Sequence, residues 1–209
     1  MMVAMDLSEP EAALCPTLDG PVLIVLAATT RPLAAREVAR LVRRGSWGGV
    51  RKVLLRLAEH GVVTVQEAGN VTLYTLNRRH LAAPAVNLLA GLRQELARRL
   101  SESVSAWETA AVHASLFGSA ARGDGSTASD VDLFIVRPRN VAEDDEQWRT
   151  QLDQLAIDVL AWTGNHAGIS EVGESELTRL RRTPAAKSIR AEGITLAGKR
   201  VDEILGRAA

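Results

Sequence analysis

The chain has 209 residues, enough for one large or two small domains. Hydrophobic residues make up 46% of it and aromatics only 3%, so Leu, Val, Ile and Ala must fill the core, and the single cysteine, Cys15, excludes a disulfide framework or a cysteine-rich zinc site. Ten Lys/Arg stand against three Asp/Glu between Arg31 and Arg79, a local charge of +7 inside a chain whose net charge is zero. A basic module, a candidate polyanion binder, is therefore joined to an acidic one.

Residues 1–17 lack periodicity and are expected to be flexible. They carry no signal-peptide pattern, and Pro21 to Thr29, the most apolar run, is too short to span a bilayer. A cytoplasmic protein with no membrane partner is expected. Leu18 to Thr30 reads as a helix opened by Asp19 and Pro21. Pro32 to Arg43 reads as a second helix, with Val38, Leu41 and Val42 on one face and Arg36, Arg40 and Arg43 in water. Ser46 is placed to cap a third, Trp47 to His60, where Val50, Val53, Leu54 and Leu57 follow the i, i+3, i+4, i+7 pattern and Gly61 ends the run. Val62 to Gln66 and Val71 to Leu76 alternate around Ala68-Gly69-Asn70, a hairpin signal. From His80 to Ser105 one long helix is expected, with Leu88, Leu89, Leu92, Leu96 and Leu100 as a stripe for dimerisation or for packing on its own chain.

Three helices followed by a hairpin, with LLRLAEHGVV running from the third helix into the first strand, resemble the small bacterial repressor-like winged-helix domains over residues 18–80. The resemblance implies double-stranded DNA as a partner and Trp47 to His60 as the helix in the major groove. Ser46, Trp47, Arg51 and Lys52 lie at its leading end, and Arg43, Arg44 and Arg56 are candidate phosphate contacts. A solvated cationic face and a protein-docking role are the competing readings.

Trp107 to Phe117 reads as a strand, followed by a small-residue turn, a loop, and a second strand through Val136. Glu143 to Thr163 is a helix with Trp148, Leu152, Leu155, Val159 and Trp162 as its core stripe. His166 to Val172 is a short strand, Glu174 to Arg182 and Ala185 to Ala191 are helical, and Glu192 to Gly198 is extended. The chemistry concentrates around Gly118-Ser119 and Asp130-Val131-Asp132. A strand puts residues i and i+2 on one face, so the two carboxylates point the same way. Like charges at that spacing repel unless a cation lies between them, and Mg2+ (or Mn2+) accepts a few carboxylates plus substrate phosphates. The Gly-Ser turn offers backbone N–H groups and a hydroxyl suited to phosphate oxygens.

The string GSAARGDGSTASDVDLFIV resembles the signature of the DNA polymerase β-like nucleotidyltransferase superfamily, most closely its minimal nucleotidyltransferase branch. The resemblance implies transfer of a nucleoside monophosphate from an NTP to a hydroxyl on a protein, nucleic acid or small molecule. Asp130 and Asp132 would be the catalytic metal ligands, with Gly118, Ser119, Arg122, Gly123 and Ser129 around the nucleotide. Active members commonly add a third carboxylate on the strand after the long helix. Apolar alignment puts Gly168 or Ser170 there, and Glu171, the strand's only acid, takes that role if the register shifts. His113, His166 and Asp124 are weaker substitutes, since lone residues of these types are usually structural. The branch also implies an antitoxin-like role beside a helical toxin protein. The alternative function is a winged-helix transcriptional regulator whose transferase-like domain senses a nucleotide or is inactive. The expected fold is α+β: a flexible start (1–17), a winged helix-turn-helix (18–80), a linker or dimerisation helix (81–105), and a transferase domain with a mixed sheet flanked by helices (106–209).

Overall fold

One apolar and two amphipathic runs between Asp19 and Glu59 close into helices in the computed structural model, which describes residues 4–42, 44–181 and 183–206. The chain divides into two units, Glu9–Leu92 and the described residues through Ser8 together with those from Arg93 onward.

In the Glu9–Leu92 unit a 3-10 turn at Pro10–Ala13 leads to α1 (Asp19–Ala27), β1 (Leu33–Ala34), α2 (Ala35–Val42) and α3 (Trp47–Glu59). The strands β2 (Val63–Ala68) and β3 (Val71–Leu76) follow, and α4 (Ala83–Ala90) completes it. Ser46 caps α3, its hydroxyl accepting from Gly49 N at 3.1 Å. Val50, Leu54 and Leu57 turn inward onto Val22, Leu26 and Val38, each such burial stabilising the unit by roughly 1.5–3 kcal/mol. The hairpin pairs Ala68 with Val71 across Gly69-Asn70. The two-residue β1, which propensity did not reveal, joins β3 through Leu33 and Tyr74, so the sheet order is β1-β3-β2.

In the other unit α5 (Leu92–Ser105) precedes β4 (His113–Phe117), α6 (Gly118–Arg122) and β5 (Val131–Arg137). Next come α7 (Glu146–Thr163), β6 (Ala167–Gly173), a 3-10 turn at Glu174–Glu176, α8 (Leu177–Leu180), α9 (Pro184–Glu192), β7 (Ile194–Gly198) and α10 (Val201–Leu205). The sheet is mixed, in the order β6-β5-β4-β7, with only β5 and β6 parallel. Residues of β5 alternate between two cores. Val131, Leu133 and Ile135 pack with Trp148, Leu152, Leu155 and Val159 of α7, while Phe134 and Val136 pack with Leu177, Ile189, Ile204 and Leu205. Asp132 therefore belongs to the face that α8–α10 cover. Trp148 is fully buried, edge-on to Trp107 with ring centroids 5.4 Å apart.

Two expectations change. Residues 5–8 are anchored: Met5 N donates to Thr163 O at 2.9 Å, Ser8 N donates to Gly125 O at 2.7 Å, Arg93 donates to Ser8 O, and Leu7 is buried. Farther on, Cys15 N donates to Glu11 O at 2.8 Å and Glu11 is buried. Local periodicity could not show the contacts of Met5 and Ser8, because their partners are distant in sequence. The long helix is also two helices. Gly91 N bonds back to Asn87 and Leu88, closing α4, and α5 begins afresh at Leu92. The leucine stripe splits with it, leaving Leu88 74% exposed and Leu100 fully buried. Among the described residues no helix is long and apolar enough to cross a membrane.

Candidate active site

The site begins where β4 ends. Phe117 pairs with Asp132 on β5, and the chain turns at once into α6 through Gly118, whose φ is +68°. A Cβ on Gly118 would fall inside the Asp132 carboxylate, only 3.1 Å from Cγ and 3.3 Å from the Asp132 Cβ. Glycine is thus needed twice, for its left-handed backbone and for its missing side chain. On the other side, parallel pairing sets Gly168 beside Asp132. A Cβ on Gly168 would lie 3.0 Å from Asp132 Oδ1 and 3.6 Å from Asp130 Cβ. Gly168 therefore leaves room for the Asp132 carboxylate and the Asp130 side chain, and Gly118 closes on the former.

The start of β5 is tied to the end of α7. Asn165, 2% exposed, donates from Nδ2 to Ser129 O at 2.9 Å and accepts from Met5 N at 3.1 Å. Val131 N donates to His166 O at 2.8 Å. Asp130 thus sits between two anchored peptides, which limits where its carboxylate reaches.

Burial pushes the Asp132 carboxyl above the usual range, the Asp130 charge adds to the rise, and Arg122 opposes it. A carboxylate whose charge is disfavoured by burial and by a neighbouring carboxylate suits a hard divalent cation. Among the described residues no group of three or more His, Cys, Asp or Glu side chains is arranged to hold a metal. Asp130 and Asp132 could hold a cation such as Mg2+, whose further ligands would include phosphate oxygens.

The other expected residues separate into those brought here and those held elsewhere. Ser119 is half-buried in the first turn of α6, and its carbonyl accepts from Gly123 N and Asp124 N at 2.9 and 3.1 Å. Gly123 ends the helix at φ +74°. Arg122 donates from Nε to Asp124 Oδ2 at 3.0 Å and from Nη1 to Glu192 Oε2 at 2.7 Å. The Ser129 hydroxyl accepts from Ser126 N at 2.9 Å and so closes its own loop. Glu171 is not at the site. The β5–β6 register runs without a shift, Glu171 pairs with Ile135 on the opposite face from Asp132, and its carboxylate accepts from Arg137 Nε at 2.6 Å. The same register selects Gly168, not Ser170, as the neighbour of Asp132.

His113 is a satisfied core histidine. Nδ1 lies 2.6 Å from Lys199 O, a carbonyl that only accepts, so Nδ1 carries the proton. Nε2, 2.9 Å from the Ser115 hydroxyl, then accepts. Burial lowers its pKa and keeps the ring neutral. His166 is exposed, and Asp124 is engaged by Arg122.

Sequence reasoning missed Asn165 as an anchor and Glu192 altogether. Glu192 ends α9; one carboxylate oxygen takes Arg122 and the other the Ser188 hydroxyl. Arg122 first, then Ser188, holds its carboxyl below the usual range, and the Gly118 N–H contributes. It lies 70 positions from Arg122, and no local pattern marks it.

In the Glu9–Leu92 unit the candidate DNA contacts also separate. Arg43 lies outside the described residues. Arg44 pairs with Glu9 and Arg56 with Asp19. Ser46 serves its helix cap. Arg51 and Lys52 are exposed and form no ion pair among the described residues. Trp47, 51% exposed, shares with Arg36, Arg51, Leu55, Val65 and Val71 the wall of a groove of about 560 Å³ between α3 and the hairpin.

A family model described as a nucleotidyltransferase domain matches residues 94–187. No curated protein matches. Similar solved structures include one of a mutant of the toxin–antitoxin MntA-HpeT, 13% identical with a TM-score of 0.37, over 53% of this chain and 80% of that one. Another is a toxin–antitoxin with AMP-PNP, 16% identical with a TM-score of 0.35, over the same shares, 53% and 80%.

Proposed function

We propose that the unit containing residues 93–209 transfers a nucleoside monophosphate from an NTP to an acceptor hydroxyl, and that residues 9–92 direct it to double-stranded DNA as a winged helix-turn-helix. The observation that carries the transferase reading is the packing of the Gly118 turn against the Asp132 carboxylate, with Asp130 beside it. This constellation lies inside the segment that matches the nucleotidyltransferase model. Asp130 and Asp132 hold the divalent ion, the Gly118–Ser119 turn faces the phosphates, and Arg122 offsets their charge. When bound, the ion neutralises phosphate charge and acidifies the attacking hydroxyl. The acceptor oxygen forms a bond to the α-phosphorus as the bond to pyrophosphate breaks, and the acceptor proton passes to solvent. The helix–strand–helix–helix–hairpin order and the unpaired Arg51 and Lys52 support the DNA reading. An antitoxin-like role rests on the resemblance of the signature, and a labelled small helical protein in pull-downs tests it.

One observation favours a second reading. Gly168 stands where a third carboxylate would complete the set, which leaves acceptor activation without an obvious base and favours a regulator that senses a nucleotide. The experiment is incubation of the full chain with each α-32P NTP and Mg2+, following label on the protein, on nucleic acid and on added lysate. Transfer that disappears in Asp130→Asn/Asp132→Asn establishes the transferase. Metal-dependent binding without transfer, lost in the same variant, establishes the sensor, and neither outcome refutes both.

A further inference from the structure

We propose that Glu192 is a resident competitor of the nucleotide, a carboxylate placed on the arginine that the triphosphate must use. The inference rests on the nucleotide-binding reading of Asp130, Asp132 and Arg122.

Arg122 is the cation of the signature, yet its fork is already divided: Nε serves Asp124 at 3.0 Å and Nη1 serves Glu192 at 2.7 Å. The two acids are not equivalent. The Asp124 side chain is 60% exposed and water screens its pairing. The Glu192 side chain is 14% exposed, and the Ser188 hydroxyl, one turn back on α9, holds its second oxygen. That carboxylate is oriented before any ligand arrives, and its bond to Arg122 is charge-assisted and partly sheltered from solvent. The field of Glu192 also reaches Asp132, so it belongs to the same electrostatic site as the proposed metal ligands.

A triphosphate approaching Asp130 and Asp132 therefore meets an arginine whose Nε and Nη1 are already engaged and a further negative charge beside it. Binding either displaces Glu192 from Nη1 or proceeds against its charge. In both cases the carboxylate weakens nucleotide affinity, and it keeps Arg122 in place while no nucleotide is bound. Removing the charge while keeping the shape releases the fork. From the worth of a single partly exposed ion pair, affinity should rise roughly 1.5-fold to fivefold.

The test is equilibrium dialysis of the full chain against each labelled NTP with Mg2+, for the wild type, Glu192→Gln, Arg122→Gln, the double variant and Asp130→Asn/Asp132→Asn. Glu192→Gln should bind roughly 1.5- to fivefold more tightly, and the gain should vanish in the Arg122→Gln background. Glu192→Ala, which also loses the Ser188 contact, should bind more tightly too, with far-UV circular dichroism confirming that both variants fold. Unchanged or weaker binding by Glu192→Gln and Glu192→Ala, with wild-type binding lost in the double Asp variant, overturns the competitor while the nucleotide site stands. A gain that persists without Arg122 overturns it as well. Absence of NTP binding in every variant removes the nucleotide-site reading and the competitor together.

Discussion

Gly118→Ala tests whether the turn and the carboxylate form one device. The backbone there sits at φ +68°, and an L side chain in that region costs roughly 1–2 kcal/mol. The new methyl also overlaps the Asp132 carboxylate and presses on its Cγ and Cβ, at 3.1 and 3.3 Å. Rotating that side chain away costs roughly another 0.5–1.5 kcal/mol if it leaves its rotamer well. A total of about 2–3 kcal/mol is expected, read as a lower urea midpoint for the unit at unchanged slope. In Gly118→Ala/Asp132→Ala the overlap is gone, so the second alanine should recover the rotamer share and leave about 1–2 kcal/mol. Transfer or metal-dependent nucleotide binding should fall about a hundredfold in the single variant, since a misplaced reacting group costs that much. Equal destabilisation by Gly118→Ala with and without the Asp132 side chain would refute the direct packing of turn on carboxylate.

Three further outcomes are expected. Asp132→Asn should raise the thermal midpoint in EDTA at neutral pH, because burial and Asp130 both disfavour the wild-type charge. A carboxyl whose pKa is raised by folding costs stability above that pKa, so the advantage of Asn should shrink as pH falls and Asp132 protonates. His113, whose pKa folding lowers, should make stability decline as pH drops below about 6.5, where the unfolded chain binds the extra proton, and His113→Gln should flatten that limb of a pH–stability curve. Arg51→Ala/Lys52→Ala should lower the slope of log affinity against log salt by about 2 in a fluorescence-anisotropy titration with duplex DNA. Arg56→Ala, whose guanidinium is paired with Asp19, should change it less.

The parts of this protein that were legible in sequence are those with short-range causes. The Trp47–Glu59 helix followed from the spacing of Val50, Leu54 and Leu57, and its start from Ser46. Asp130, just before β5, and Asp132, within it, were expected on one side because a strand has a period of two. What was hidden depends on long-range pairing. The face of Glu171 was undecidable until β6 was set in register with β5, and one residue of slippage would have reversed it. Glu192 reaches the site because β7 pairs with β4, bringing the end of α9 to α6. The break at Gly91 escaped notice because leucines on both sides keep a helical spacing, which tolerates an interior glycine at about 1 kcal/mol.

The bonds from Met5 and Ser8 to Thr163 and Gly125 have a topological consequence. The Glu9–Leu92 unit is an insertion, entered from Ser8 and left into Arg93, and not a head joined to a tail. A single cut after Leu92 therefore yields a fragment missing the strip that supplies Leu7 to its core and braces the Gly125 loop just before Asp130. The productive excision is internal. Because Arg93 already donates to Ser8 O, a short glycine-rich bridge between those two residues should restore the interrupted fold as one continuous chain. During synthesis Met5 and Ser8 meet Thr163 and Gly125 only after the whole insert has been made.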